Sequence, residues 1–119
     1  MEPRLDPKAT PGAYEAILGV EKYVRGSGLE QPLLELVRMR ASQINQCAYC
    51  INMHSREARA AGETEQRLYA LMAWRETPYF TDRERAALAW TESVTRVADT
   101  QVPDDVYEIV KSQFSRPRS

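Results

Sequence analysis

The stretch QCAYCINMHS, residues 46–55, places Cys47, Cys50 and the only histidine of the chain, His54, within eight positions. Two thiols and an imidazole so close together suit a metal clip, a structural disulfide or a redox centre, or else small apolar packing on a helix. At about 100° per residue, Cys47 and His54 fall about 20° apart around a helix, with Cys50 roughly 40–60° from each. Ile51, Ala58 and Ala61 share that side, whereas Arg56 and Arg59 point away. Both sulfurs and the ring therefore lie on the stripe expected to face the core or a buried pocket.

A helix that begins near Cys47 sets both sulfurs in or beside its first turn, where free N–H groups and the helix dipole favour a thiolate. Thiols in C-x-x-C settings can titrate well below the free value of about 8.5. The thiolate is the form that attacks a peroxide O–O bond. The resulting sulfenic acid would meet the second cysteine one turn away and close a disulfide. His54, one turn beyond Cys50, is placed to take the thiol proton directly or through a water. On the preceding helix Glu35, with Met39 and Ser42 on its face, offers a carboxylate toward the same point, although most helix glutamates are simply solvated.

Composition narrows these choices. Sixteen basic and seventeen acidic residues leave a formal charge of −1, which gives no electrostatic basis for a nucleic-acid or anionic-membrane partner. No apolar run approaches the ~20 residues needed to span a bilayer. The opening MEPRLDPKATPGAY lacks the apolar stretch and cleavage site of a signal peptide, so a cytoplasmic location is expected. In a reducing compartment two cysteines favour catalysis, redox work or metal over a structural disulfide. Zinc would need a fourth ligand beyond two cysteines and one histidine; Glu35 is the candidate, and no second C-x-x-C exists.

The elements that must position these groups read as helices throughout. Residues 1–11 carry three prolines and are expected to form an extended arm, residues 12–114 one domain, and residues 115–119 a tail. Tyr14, Ile17, Leu18 and Val24 mark a first helix, which ends at RGSG. Pro32 opens a second, whose apolar residues from Leu33 to Ile44 surround more than one side and make it central. Asn45 and Gln46 break the run before the third helix, from about Cys47 to Ala61, with Gly62 in the usual terminating place. A fourth helix, ETEQRLYALMAW, is expected to turn Leu68, Leu71 and Met72 inward. Thr81 and Glu84 form a capping box for a fifth, with the stripe Ala87, Trp90, Val94 and Val97. A sixth starts at Pro103, with Val106, Ile109 and Val110 apolar. No stretch alternates with period two, so the class is all-α, with about six helices. A helical domain of this size often buries further apolar surface against copies of itself. Trp74, Trp90 and the tyrosines read as core and interface rather than a cofactor site.

Glu35, Cys47, Cys50 and His54 fit E-x11-C-x2-C-x3-H, and with the text from LLELVRMRASQINQCAYC to RERAALAW the chain resembles the alkylhydroperoxidase AhpD-like branch of the carboxymuconolactone decarboxylase superfamily over residues 5–114. The resemblance implies an all-α fold assembling into trimers or hexamers, and a cysteine-dependent hydroperoxide reductase activity without metal, haem or other cofactor. It implies that Cys50 attacks the peroxide, Cys47 resolves it, and Glu35 and His54 relay protons. It also implies a dithiol reductant, a dihydrolipoyl group on a partner protein. Founding members carry a further histidine where this sequence has Tyr49, and relatives continue past QFSRPRS with another long helix whose apolar partner surface would here be exposed or covered by a subunit. Two other readings stand beside this one. A non-catalytic helical oligomer would sense oxidant through the same cysteines without turnover. A lactone decarboxylase-type lyase would have no need of the C-x-x-C pair.

Overall fold

Three α-helices of this chain, those starting at Ala48, Glu65 and Asp82, begin at a side-chain cap that the local sequence supplies. A computed structural model describes residues 4–115 and contains seven α-helices, with no strand among the described residues. These are α1 (Pro11–Arg25), α2 (Gln31–Ile44), α3 (Ala48–Ala60), α4 (Glu65–Ala70), α5 (Asp82–Thr95), α6 (Val97–Thr100) and α7 (Asp104–Gln113). The chain divides into two compact units, Met1–Glu30 and Gln31–Ser119.

In the first unit the expected extended arm is interrupted. Pro7–Ala9 form a 3₁₀ turn, capped by the Asp6 carboxylate, which accepts from the Lys8 N–H at 2.9 Å. Pro11 then starts α1, whose Tyr14, Ile17, Leu18 and Val20 are all exposed. Residues 1–3 of the arm and 116–119 of the tail lie outside the described residues.

The second unit is built on α2, which packs against α3 on one side and α5 on another, while α7 lies on α5. Its core joins Leu36 and Met39 of α2, Ala58 of α3 and Leu68 of α4 to Leu71, Trp74, Phe80 and Leu88. Leu36, Leu71 and Leu88 are fully buried, each stabilising the fold by roughly 1.5–3 kcal/mol over an exposed position. The capping box at α5 is formed as expected: the Glu84 N–H donates to Thr81 Oγ1 at 3.1 Å, and the Thr81 N–H donates to the Glu84 carboxylate at 2.8 Å.

Three expectations are corrected. The fourth helix ends at Ala70 and continues as 3₁₀ turns over Leu71–Glu76, with Ala73 out of helical geometry. Leu68 of α4 and Leu71 are buried as expected; residues three apart eclipse in a 3₁₀ helix, so Trp74 joins Leu71 on the inner side and Met72 is turned out, 67% exposed. The fifth helix stops at Thr95, before Val97: Arg96 leaves helical geometry, and Thr100 Oγ1 donates at 2.7 Å to the Ser93 carbonyl, one of the acceptors left at the helix end. The buried face of α5 is accordingly Ala86, Ala87, Leu88, Thr91 and Ser93, with Val94 and Val97 exposed and Trp90 half-buried beside Tyr107 of α7. Ala61 closes α3 as an exposed cap residue and takes no part in the buried face.

Candidate active site

The turn between α2 and α3 fixes where the sulfurs stand. Gln46 adopts a left-handed backbone with φ of 54°, the Gln46 N–H donates to the Gln43 carbonyl at 3.1 Å, and the Cys47 N–H to the Ser42 carbonyl at 3.1 Å. This is the paired terminating motif that satisfies the last carbonyls of a helix. Cys47 therefore lies beyond the end of α2 and caps the start of α3 from extended backbone, its Sγ accepting from the Cys50 N–H at 3.2 Å. The sequence reading began α3 at about Cys47; the helix proper starts one residue later.

Cys47 and Cys50 are joined in a disulfide, with Cα atoms 5.2 Å apart. Both residues are half-buried, so the pair is within reach of a solute. His54 lies one turn below Cys50 on the same face of α3. Across from it, Glu35 on α2 is 1% exposed, far from the solvated position usual for a helix glutamate. Its Oε2 is 4.0 Å from His54 Nδ1 and has no hydrogen-bond partner of its own. Its Oε1 accepts from the Gln31 amide one turn earlier and stands 3.9 Å from the Arg38 guanidinium. The four residues expected from sequence thus lie on α2, at the start of α3 and along α3, the sulfurs bonded to each other and the Glu35 carboxylate facing the His54 ring.

Three residues of this neighbourhood were not singled out from sequence. Gln31 and Arg38 hold the inner carboxylate. Glu57, one turn after His54, places its Oε2 at 3.3 Å from His54 Nδ1. The helical spacings of four and three residues were the available signal. Tyr49, standing where the resemblance expects a histidine, is 75% exposed, so its phenol does not join the buried pair. For a metal, the two sulfurs are bonded to each other here, and the donor atoms that come together are others. Among the described residues, ligand-type atoms of Glu35, His54 and Glu57 lie within 4.8 Å of one another.

A cleft of about 530 Å³, lined by Trp74, Arg85, Ala89, Asp105 and Ile109 among others, shares no residue with the cysteine cluster. No helix among the described residues is long and apolar enough to cross a membrane.

Known proteins agree with this architecture. The chain is 39% identical over 104 residues to the uncharacterised protein YdfG of Bacillus subtilis, a match covering 87% of this chain and 71% of that one. It is 30% identical over 69 residues to the uncharacterised protein YnjA of Escherichia coli, covering 58% of this chain and 38% of that one. A crystal structure from Agrobacterium tumefaciens superposes with a TM-score of 0.92 at 43% identity, over 96% of this chain and 79% of that one. That protein is of unknown function and has been ascribed to antioxidant defence as an AhpD protein. The fold is AhpD-like, and since the pattern of the carboxymuconolactone decarboxylase family matches residues 11–93, the chain belongs to that family.

Proposed function

We propose that this protein is a cysteine-dependent hydroperoxide reductase that cycles between a Cys47/Cys50 dithiol and the corresponding disulfide. The observation that carries the reading is the bonded sulfur pair at the start of α3, with the half-buried His54 one turn below it and the buried Glu35 carboxylate 4.0 Å from its ring. Inert packing needs no carboxylate there. A carboxylate buried without a full set of hydrogen bonds is destabilising, and such groups concentrate where protons move.

In the reduced protein the Cys50 thiol gives its proton to the His54 imidazole, with Glu35 standing near the ring as the second group of the relay, and attacks the terminal oxygen of the hydroperoxide. The S–O bond forms as the O–O bond breaks, and the departing alkoxide takes the proton back to leave as alcohol. Cys50 is then a sulfenic acid. Cys47, one turn away, attacks its sulfur, expels water and forms the disulfide. A dithiol, of which a dihydrolipoyl group on a partner protein is the expected form, exchanges with that disulfide and is itself oxidised. Two electrons pass from dithiol to peroxide in each cycle. No metal or other cofactor enters any step. Such a cycle needs a supply of reduced thiols, which fits the cytoplasm. As in the AhpD-like resemblance, a trimer or hexamer is the working form proposed.

Peroxide consumption with a dithiol as electron donor tests the reading. Cys50→Ser is expected to abolish turnover, and Cys47→Ser to stop after one equivalent with a trappable sulfenic acid. Equal rates in the wild type and both variants would refute the redox assignment. One oxidation per chain without turnover would make the protein a sensor.

A further inference from the structure

The cysteine chemistry leaves open what fixes the orientation of the imidazole. His54 Nδ1 has two carboxylates to choose between: Glu57 Oε2 at 3.3 Å and Glu35 Oε2 at 4.0 Å. Only the first lies near hydrogen-bond length. Glu35 is also tied on its other oxygen to Gln31 and stands beside Arg38, so the inner carboxylate is held back from the ring.

We propose that Glu57 is the positioning residue of this centre: its carboxylate accepts the His54 Nδ1–H and so leaves Nε2 as the ring's proton acceptor. The inference rests on the peroxidase reading for its place in the cycle, but the geometry on which it stands is independent of any substrate. A neutral imidazole has one donor and one acceptor nitrogen, and the partner of the first decides which nitrogen is the second. A carboxylate at Nδ1 also balances the positive charge the ring acquires with the thiol proton, as in hydrolase triads. The three groups form a gradient of exposure. The Glu35 side chain is 2% exposed, His54 16% and Glu57 38%, so a proton on the ring has a path outward through Glu57. The charged groups facing the ring are then Glu57 from α3 itself and Glu35 with its neighbour Arg38 from α2.

The test uses the reduced protein with Cys47→Ser, so that Cys50 is the only thiol, and follows its alkylation by iodoacetamide from pH 5 to 10. Glu57→Leu removes the acceptor at a half-exposed position. It is expected to slow alkylation at neutral pH by roughly tenfold, short of the hundredfold or more that loss of the base itself would cost because His54 remains, and to displace the profile toward higher pH. Glu57→Asp keeps a carboxylate and is expected to recover most of the rate. A structural role alone would lower stability without moving the profile. Profiles of Glu57→Leu and its parent that superimpose would overturn the proposal, as would a slowed Glu57→Leu that Glu57→Asp fails to recover. Peroxide consumption is measured in parallel on chains that retain Cys47. A wild type that consumes none refutes the peroxidase reading, while the alkylation profile still decides the role of Glu57.

Discussion

Gln46 holds the junction that delivers Cys47 to the start of α3, and it does so in a conformation that suits glycine better. An L-residue in the left-handed region costs about 1–2 kcal/mol relative to the right-handed one, partly offset in glycine by its greater freedom in the unfolded chain. Gln46→Gly is therefore expected to raise stability by roughly 0.5–1 kcal/mol in urea unfolding, with the hydrogen bonds from residues 46 and 47 to α2 preserved. A loss of stability would mean that the exposed Gln46 side chain supplies something its backbone does not. The same local logic explains which site residues could be read from sequence. Cys47, Cys50 and His54 declare themselves because reactive residue types recur within two helical turns. Glu35 needed the family pattern, since helical periodicity places it on α2 without revealing that α3 covers it. Glu57 lies one helical turn from His54, but glutamates on a helix are so often solvated that this spacing alone does not mark it as part of the site.

At the scale of elements, one carboxylate ties together three parts of the second unit. Glu92 on α5 accepts from Arg40 of α2 at 3.0 Å, from the Trp74 indole at 2.9 Å and from Arg75. Burial is the largest single influence on this carboxyl and opposes its ionisation. The hydrogen bonds from Arg75, Trp74 and Arg40, with the charge of Arg75, together outweigh it and hold Glu92 below its ordinary value of 4.5. A carboxyl depressed on folding stabilises the native state above its unfolded value, and that contribution disappears as pH falls through the lower folded value. Glu92→Gln is therefore expected to unfold at lower urea than the wild type at pH 7, with the gap closing once the pH drops below about 4.5 and continues down. A gap that stays constant with pH would show that the glutamate acts by shape alone. None of this was visible in the stripe read for α5. Apolar periodicity pointed to Val94 and Val97, whereas the helix buries Thr91 and Ser93 and turns its charged Glu92 toward α2. The cause is tertiary: the 3₁₀ turns after α4 bring Trp74 and Arg75 to that side, and a 3₁₀ segment has no apolar pattern distinct from that of an α-helix over six residues.

For the whole molecule, the all-α class and the central place of α2 were legible because long apolar periodicities survive any detail of packing. Surface complementarity between copies leaves no such period, and there the sequence is silent beyond its family likeness. The structure adds one physical pointer. Helix α1 has no buried residue, and its Ile17, Val20 and Tyr23 are 66%, 66% and 78% exposed. Apolar side chains in that number on one short helix gain free energy from any contact that removes them from water, at about 25 cal/mol per Å². Light scattering on the purified protein is expected to return the mass of a trimer or hexamer of the 13.6 kDa chain. Ile17→Glu, which puts a charge on α1 and leaves every residue of the cysteine cluster in place, is expected to lower that mass and to leave the alkylation profile of Cys50 unchanged. A monomeric wild type would remove the oligomer from the proposed function. An unchanged mass in Ile17→Glu would instead move the contact to a different surface, because a buried carboxylate without a partner is too costly for an interface to absorb unnoticed.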